Sequence, residues 1–208
     1  MGAVGRVVGV TLILGMIVIG CGDGGNDNGV SLRAVAVLQG QIQEDQCQVP
    51  TANEAIADPG ITFALDSPFL DSGYPTGVLF CRGYIWLENN LHDQAVVVER
   101  LDFDYEVPGA RISIPQNSVP VGIRINAANA DPETNPSPFG PPNVYIGQPD
   151  GQILPANIVL FLRQNRQVLP QLPYTLIIHI TAVGQTDAGE QLTSNDLNYT
   201  IELTQNEF

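Results

Sequence analysis

Along most of this chain apolar and polar residues alternate with a period of two, the pattern of strands with one face in a core. The clearest run places Leu101, Phe103, Tyr105 and Val107 on one face and Arg100, Asp102, Asp104 and Glu106 on the other. Pro108-Gly109 follows and suits the centre of a type II turn, Pro with its fixed φ and Gly with φ > 0. A hairpin closed there sets Glu106 opposite Arg111, Tyr105 opposite Ile112 and Phe103 opposite Ile114, which keeps the apolar residues together. Alternation also predicts a strand over Ser31 to Gln39, with Leu32, Ala34, Ala36 and Leu38 facing away from Arg33, Val35 and Val37. Further strands are expected at Ile61 to Leu65, Gly77 to Asn89, Val119 to Asn126, Tyr174 to Val183 and Leu197 to Leu203, the last two joined by a turn containing Asp187 and Gly189. Asn157 to Leu162 is apolar almost throughout and reads as a strand buried on both faces.

These elements predict an all-β chain: an antiparallel β-sandwich of Ig-like Greek-key or jelly-roll type, as one domain over 31–208. Ala127 to Asn143 interrupts the pattern with five prolines. A loop of that length is either a partner contact or solvated disorder. Dividing the chain there would leave roughly 65 residues after it, marginal for an independent core.

The N-terminus follows a different rule. Met1 to Gly20 joins a basic start at Arg6 to an apolar core from Val7 to Ile19 and small residues before Cys21, the three parts of an export signal. The core has 13 residues, short of the roughly 20 needed to span a bilayer. Val18-Ile19-Gly20-Cys21 resembles the lipobox of bacterial lipoproteins. That resemblance implies diacylglyceryl transfer to the Cys21 sulfur, cleavage before Cys21 and often acylation of the new amino terminus. Two or more acyl chains anchor stably where one does not. The competing reading is a secretory leader followed by an incidental Cys.

Gly22 to Gly29 has four glycines and no apolar residue, so 21–30 is expected to be the lipidated Cys and a flexible tether. Gly25 breaks the spacing of a calcium loop begun at Asp23. By the same resemblance, Gly22 rather than Asp after Cys21 favours the outer membrane within the cell envelope.

Charge narrows the partners. The chain carries −14 overall, and losing the leader removes one Arg and no acid, giving −15. That field repels nucleic acid and anionic lipid surfaces. All eight basic residues are Arg, which excludes P-loop, Schiff-base and serine–lysine chemistry. With Cys21 committed to lipid, Cys47 and Cys81 can form one intramolecular disulfide, reasonable in an exported protein. Cys81 falls on the strand face of Leu79, Ile85 and Leu87, so the bridge would pin the Cys47 segment to the sheet.

Three groups could carry chemistry. Phe80, Tyr84 and Trp86 share a face and could stack on a sugar or peptide, unless the fold covers them. Asp102 and Asp104 lie about 7 Å apart along a strand, compatible with an inverting glycosidase pair. Asp102, Asp104 and Glu106 could instead gather calcium, a role for which Arg100 and Arg111 compete by neutralising the same charges. His92 and His179 have no ligand spacing to each other or to the Cys pair, and His179 reads as a hydrogen-bonded sheet residue.

The overall layout adds a second resemblance. Lipobox, polar tether, early Cys, the Gly83 to Asn90 strand and the Gly184 to Ser194 hairpin together resemble β-sandwich surface lipoproteins of environmental bacteria. This chain lacks the terminal Cys pair of those proteins. The expected function is a non-enzymatic envelope lipoprotein that displays its sandwich for protein interaction or an adhesive, structural role, with covalent lipid on Cys21 and no other cofactor. The alternatives are a carbohydrate-binding module and a glycan hydrolase.

Overall fold

The computed structural model describes residues 31–39, 41–43, 46–48, 60–65, 82–147 and 153–205. The expected leader and tether, Phe80 and Cys81 lie outside them. Two sheets face each other as an open sandwich. The smaller has order β1-β5-β8, from β1 (Leu32–Gln39), β5 (Arg82–Asn89) and β8 (Val144–Gly147). The larger has order β4-β11-β9-β6-β7, from β4 (Ile61–Ala64), β6 (Val96–Glu106), β7 (Asn117–Ile125), β9 (Tyr174–Thr186) and β11 (Leu197–Thr204), with β10 (Gln191–Thr193) on the far half of β9. A two-stranded piece, β2 (Gln41–Gln43) and β3 (Gln46–Gln48), pairs Ile42 with Cys47. Among the described residues all strand pairs are antiparallel except β4 with β11, which is parallel.

The period-two expectation holds where strands run straight. On β6, Leu101, Phe103 and Tyr105 are buried and Val107 follows them inward, while Asp104 and Glu106 are exposed. On β11, Tyr199, Ile201 and Leu203 are buried against exposed Asn198, Thr200 and Glu202. These residues join Leu176, Ile178, Ile180 and Ala182 of β9 and Ile85 and Leu87 of β5 in one core.

Bulges change the pattern in β1 and in β6. In β1 the register against β5 slips between Ala34 and Ala36, so Val37 points into the main core with Leu32 and Ala34, and Leu38 turns to the opposite face. One extra residue inverts side-chain parity, which is why the expected face of Leu32, Ala34, Ala36 and Leu38 is broken halfway. In β6 Glu99 is the extra residue between Val98 and Arg100 relative to β9. Gly184 makes room for it, since a Cβ there would run into the Val97 carbonyl oxygen and the Val98 Cα.

The hairpin expected at Pro108-Gly109 is half right. The turn forms, with Gly109 at φ 82° and the Ala110 N–H donating to the Val107 carbonyl at 3.0 Å. The pairing is different: Phe103 lies opposite Asn117, Leu101 opposite Val119 and Val96 opposite Ile125. Arg111, Ile112 and Ile114 belong to the connection, and Glu106 faces Ile177 of β9.

Asn157 to Leu162 is not a strand. It lies in helix α1 (Ala156–Gln164), which buries Ile158, Val159 and Leu162 and leaves Leu160 52% exposed. Pro155 precedes the helix, and Arg163 in its last turn donates from Nε to the Leu65 carbonyl at 2.7 Å. Nine residues are too few for a stable isolated helix. Each of the three buried side chains contributes about 1.5–3 kcal/mol, so packing stabilises it. The Tyr105 hydroxyl donates to the Ile153 carbonyl at 2.9 Å, placing the approach to α1 across the end of β6.

The Pro-rich segment, which carries the chain from the larger sheet to the smaller, is a string of turns. The Asp131 carboxylate accepts from the Glu133 N–H at 2.9 Å, and Ser137 forms an isolated bridge with Gly140. Phe139 then packs edge-to-face on Tyr145, ring centres 5.4 Å apart.

Two asparagines join the sheets. Asn89, fully buried at the end of β5, donates from Nδ2 to the Gln94 carbonyl at 2.8 Å and the Asn126 carbonyl at 2.9 Å, and accepts the Leu91 N–H at 3.0 Å. Asn195, in the turn before β11, meets Ala34 of β1 as a strand would: the Ala34 N–H donates to Oδ1 at 2.9 Å, and Nδ2 donates to the Ala34 carbonyl at 3.0 Å. Asn89→Ala removes one acceptor and two donors from a buried site. The expected loss is about 2–4 kcal/mol, read as a lower urea midpoint; an unchanged midpoint would refute the role given to Asn89.

Candidate functional site

The outer face of the larger sheet carries most of the charged residues that stand out in the sequence. Antiparallel pairing sets β6, β7 and β9 side by side, so residues far apart in sequence become cross-strand neighbours. Asp102 lies between Ser118 of β7 and Thr181 of β9. The Ser118 hydroxyl donates to its Oδ1 at 2.6 Å, and the Arg100 Nε donates to both carboxylate oxygens, at 3.2 and 3.0 Å. Asp104 lies directly opposite His179, and Glu106 points at the same ring.

His179 therefore sits among carboxylates. Its Nδ1 is 2.8 Å from Asp196 Oδ2 and its Nε2 is 3.5 Å from Glu106 Oε2. Hydrogen bonding to Asp196 is the main cause that raises its pKa above the ordinary 6.5; partial burial opposes this, and Glu106 adds a smaller push upward. The ring is 28% exposed, so solvent screens both contacts.

A second exposed pair spans β6. Arg124 of β7 meets Asp187 of the β9–β10 turn through Nη1–Oδ1 at 2.6 Å and Nη2–Oδ2 at 2.7 Å. The guanidinium holds the Asp187 carboxyl below its ordinary range. His92 Nδ1 lies 2.9 Å from Asp93, which also accepts from Asn129 at 2.8 Å; both His92 and Asp93 are exposed.

Of the calcium candidates, Asp102 is thus engaged by Arg100 and Ser118, and Glu106 shares His179 with Asp196. Among the described residues no group of three or more His, Cys, Asp or Glu side chains is arranged to hold a metal ion. For the glycosidase pair, Asp102 is again the engaged member.

The aromatic row lies on the outer side of the smaller sheet. Tyr84 is buried there with Leu38, Val144 and Ile146, and Ala36, Trp86 and Phe139 pack around them. Burial pushes the Tyr84 phenol above its ordinary pKa. Trp86 is half-buried, and its indole N–H is covered and finds no acceptor among the described residues. Tyr84 is therefore inside the fold, Trp86 partly so, and Phe80 lies outside the described residues.

Cys47 lies in β3, and Cys81 is likewise outside the described residues. Sequence patterning does not single out Asn89, Asn195, Ser118 or Asp196. A polar residue next to an apolar alternation gives no periodic signal, and each of these acts through a partner that folding brings in.

The chain matches no family model, and no curated protein matches it.

Trp86 is the only tryptophan of the chain, so its fluorescence reports that face alone. Acrylamide quenching of the native protein is expected to be well below that of the urea-unfolded chain and indifferent to soluble glycans. Protection that grows with added oligosaccharide would make the aromatic row a ligand surface after all.

Proposed function

We propose that this protein is a non-enzymatic lipoprotein of the bacterial envelope, held by lipid on Cys21 and displaying its β-sandwich to a protein partner or as a structural, adhesive element. The observation that carries the reading is the position of Val18-Ile19-Gly20-Cys21 next to a glycine-rich tether that leads into β1. Gly22 to Val30 is nine residues, with a reach of at most roughly 30 Å, enough to hold the domain clear of headgroups.

The way β1 is fastened suits that role. The Ser31 carbonyl accepts the Asn90 N–H at 2.7 Å, Leu32 is fully buried, and Asn195 holds Ala34 from the side opposite β5. Load on the tether would reach a strand paired with β5 along one edge and held at Ala34 on the other. Among the described residues no helix is long and apolar enough to cross a membrane. The outer membrane is the favoured location, from Gly22 after the modified Cys, with Cys47 and Cys81 bridged as a structural disulfide.

Radiolabelled palmitate should enter the wild-type protein and not Cys21→Ser, which should move to the soluble fraction. Labelled, membrane-bound Cys21→Ser would sink the lipoprotein reading. Separately, thiol titration of a soluble form beginning at Ser31 should find no free thiol after denaturation without reductant. Cys47→Ser should lower stability by about 3–4 kcal/mol, the loop-closure value for a bridge of this span; two titratable thiols would refute the bridge.

A further inference from the structure

We propose that His179 is a proton-dependent crossbar on the outer face of the larger sheet, tying Glu106 at the end of β6 to Asp196 before β11 when doubly protonated, and releasing Glu106 when it loses a proton.

The number of donors on the ring sets this behaviour. Both ring nitrogens face carboxylate oxygens, which only accept hydrogen bonds. An imidazolium has two N–H groups and can serve both. A neutral imidazole has one, so one contact must become a lone pair set against a carboxylate. Distance decides which: Asp196 is at 2.8 Å and Glu106 at 3.5 Å, so the remaining proton stays on Nδ1 and the Glu106 contact is lost.

The neighbouring charges sharpen the change. On β6, Asp104 lies directly across from the ring, and Asp102, one step further, is held by Arg100 and Ser118. On β11 the residue opposite is the uncharged Asn198, and Thr181 and Ile177 flank His179 on its own face of β9. Deprotonation therefore leaves Glu106 and Asp196 facing a neutral ring, with Asp104 opposite it in the strand register, and the patch becomes more negative by one charge. Glu106 immediately precedes the Val107–Ala110 turn, so its release loosens the end of β6. The Asn195–Ala34 clamp, beside the contact that is kept, stays closed.

Both carboxylates favour the imidazolium, Asp196 first, so the folded-state pKa lies above the unfolded 6.5. The stabilisation from His179 is complete below about pH 6.5 and is lost as pH rises through the folded value.

The test is an NMR titration of the full domain. The His179 midpoint should exceed that of the urea-unfolded chain, and both Asp196→Asn and Glu106→Gln should lower it, Asp196→Asn by more. The amides of Glu106 to Ala110 should shift with the same midpoint in wild type and lose that inflection in His179→Gln, while the Ala34 amide stays protected throughout. The stability difference between wild type and His179→Gln should shrink as pH rises. Glu106→Gln changes only an exposed side chain, so the test survives if His179→Gln folds poorly. A native midpoint at or below the unfolded one, or an inflection at Glu106 to Ala110 that persists without the imidazole, would overturn the proposal.

Discussion

The sandwich depends on the Asn89 amide. It lies where β5 of the smaller sheet ends and the chain crosses toward β6 of the larger one, and it is inaccessible to solvent. Burying an amide is costly unless its donors and acceptor are all matched. Here they are: the side chain gathers the Gln94 and Asn126 carbonyls and the Leu91 N–H, and its own backbone is bound in both directions to Asn143. The side chain thus fixes the start of β6 and the end of β7, and the backbone of the same residue holds the approach to β8. An apolar residue of the same size would fill the space and leave those backbone groups unmatched.

Asn195 plays the corresponding part at the edge of β1. Unpaired backbone on an edge strand is a template for unwanted pairing, and at Ala34 a side-chain amide takes the place of the missing strand. The β1 bulge lies directly beyond that point, and after it Val37 faces the main core while Ala36 and Leu38 face the smaller cluster around Tyr84. Charges on the outer face are likewise matched by few partners. Asp102 and Asp187 each have an arginine, and two carboxylates, Glu106 and Asp196, share the one imidazole of His179. That last arrangement is the least balanced on this face, which is why a single proton matters to it.

The fold class is legible in the residue order because side-chain parity is a local property of an extended chain. Leu101, Phe103 and Tyr105 have to share a side wherever β6 is placed, and so do Tyr199, Ile201 and Leu203. The turn at Pro108-Gly109 is legible for the same reason, being encoded in two φ angles. The leader, the lipobox and the tether are expectations of the same linear kind, resting on residue order alone.

Which strand lies beside which is left to the tertiary structure. β6 pairs with both β7 and β9, and the turn after it sets a change of direction without naming the partner. The apolar run within Asn157 to Leu162 suits a strand or a helix equally; α1 is a helix because one side of it meets the core while Leu160 does not. Asp102, Asp104 and Glu106 are visible in the sequence as an exposed row, but Ser118 and the His179–Asp196 pair are not, and Asn195 meets a residue 161 positions away. Parity follows from the chain's own geometry over two residues, so the sequence determines it. A hydrogen bond needs a partner that only folding delivers, so the clamps and the His179 cluster are decided by the packing of distant strands.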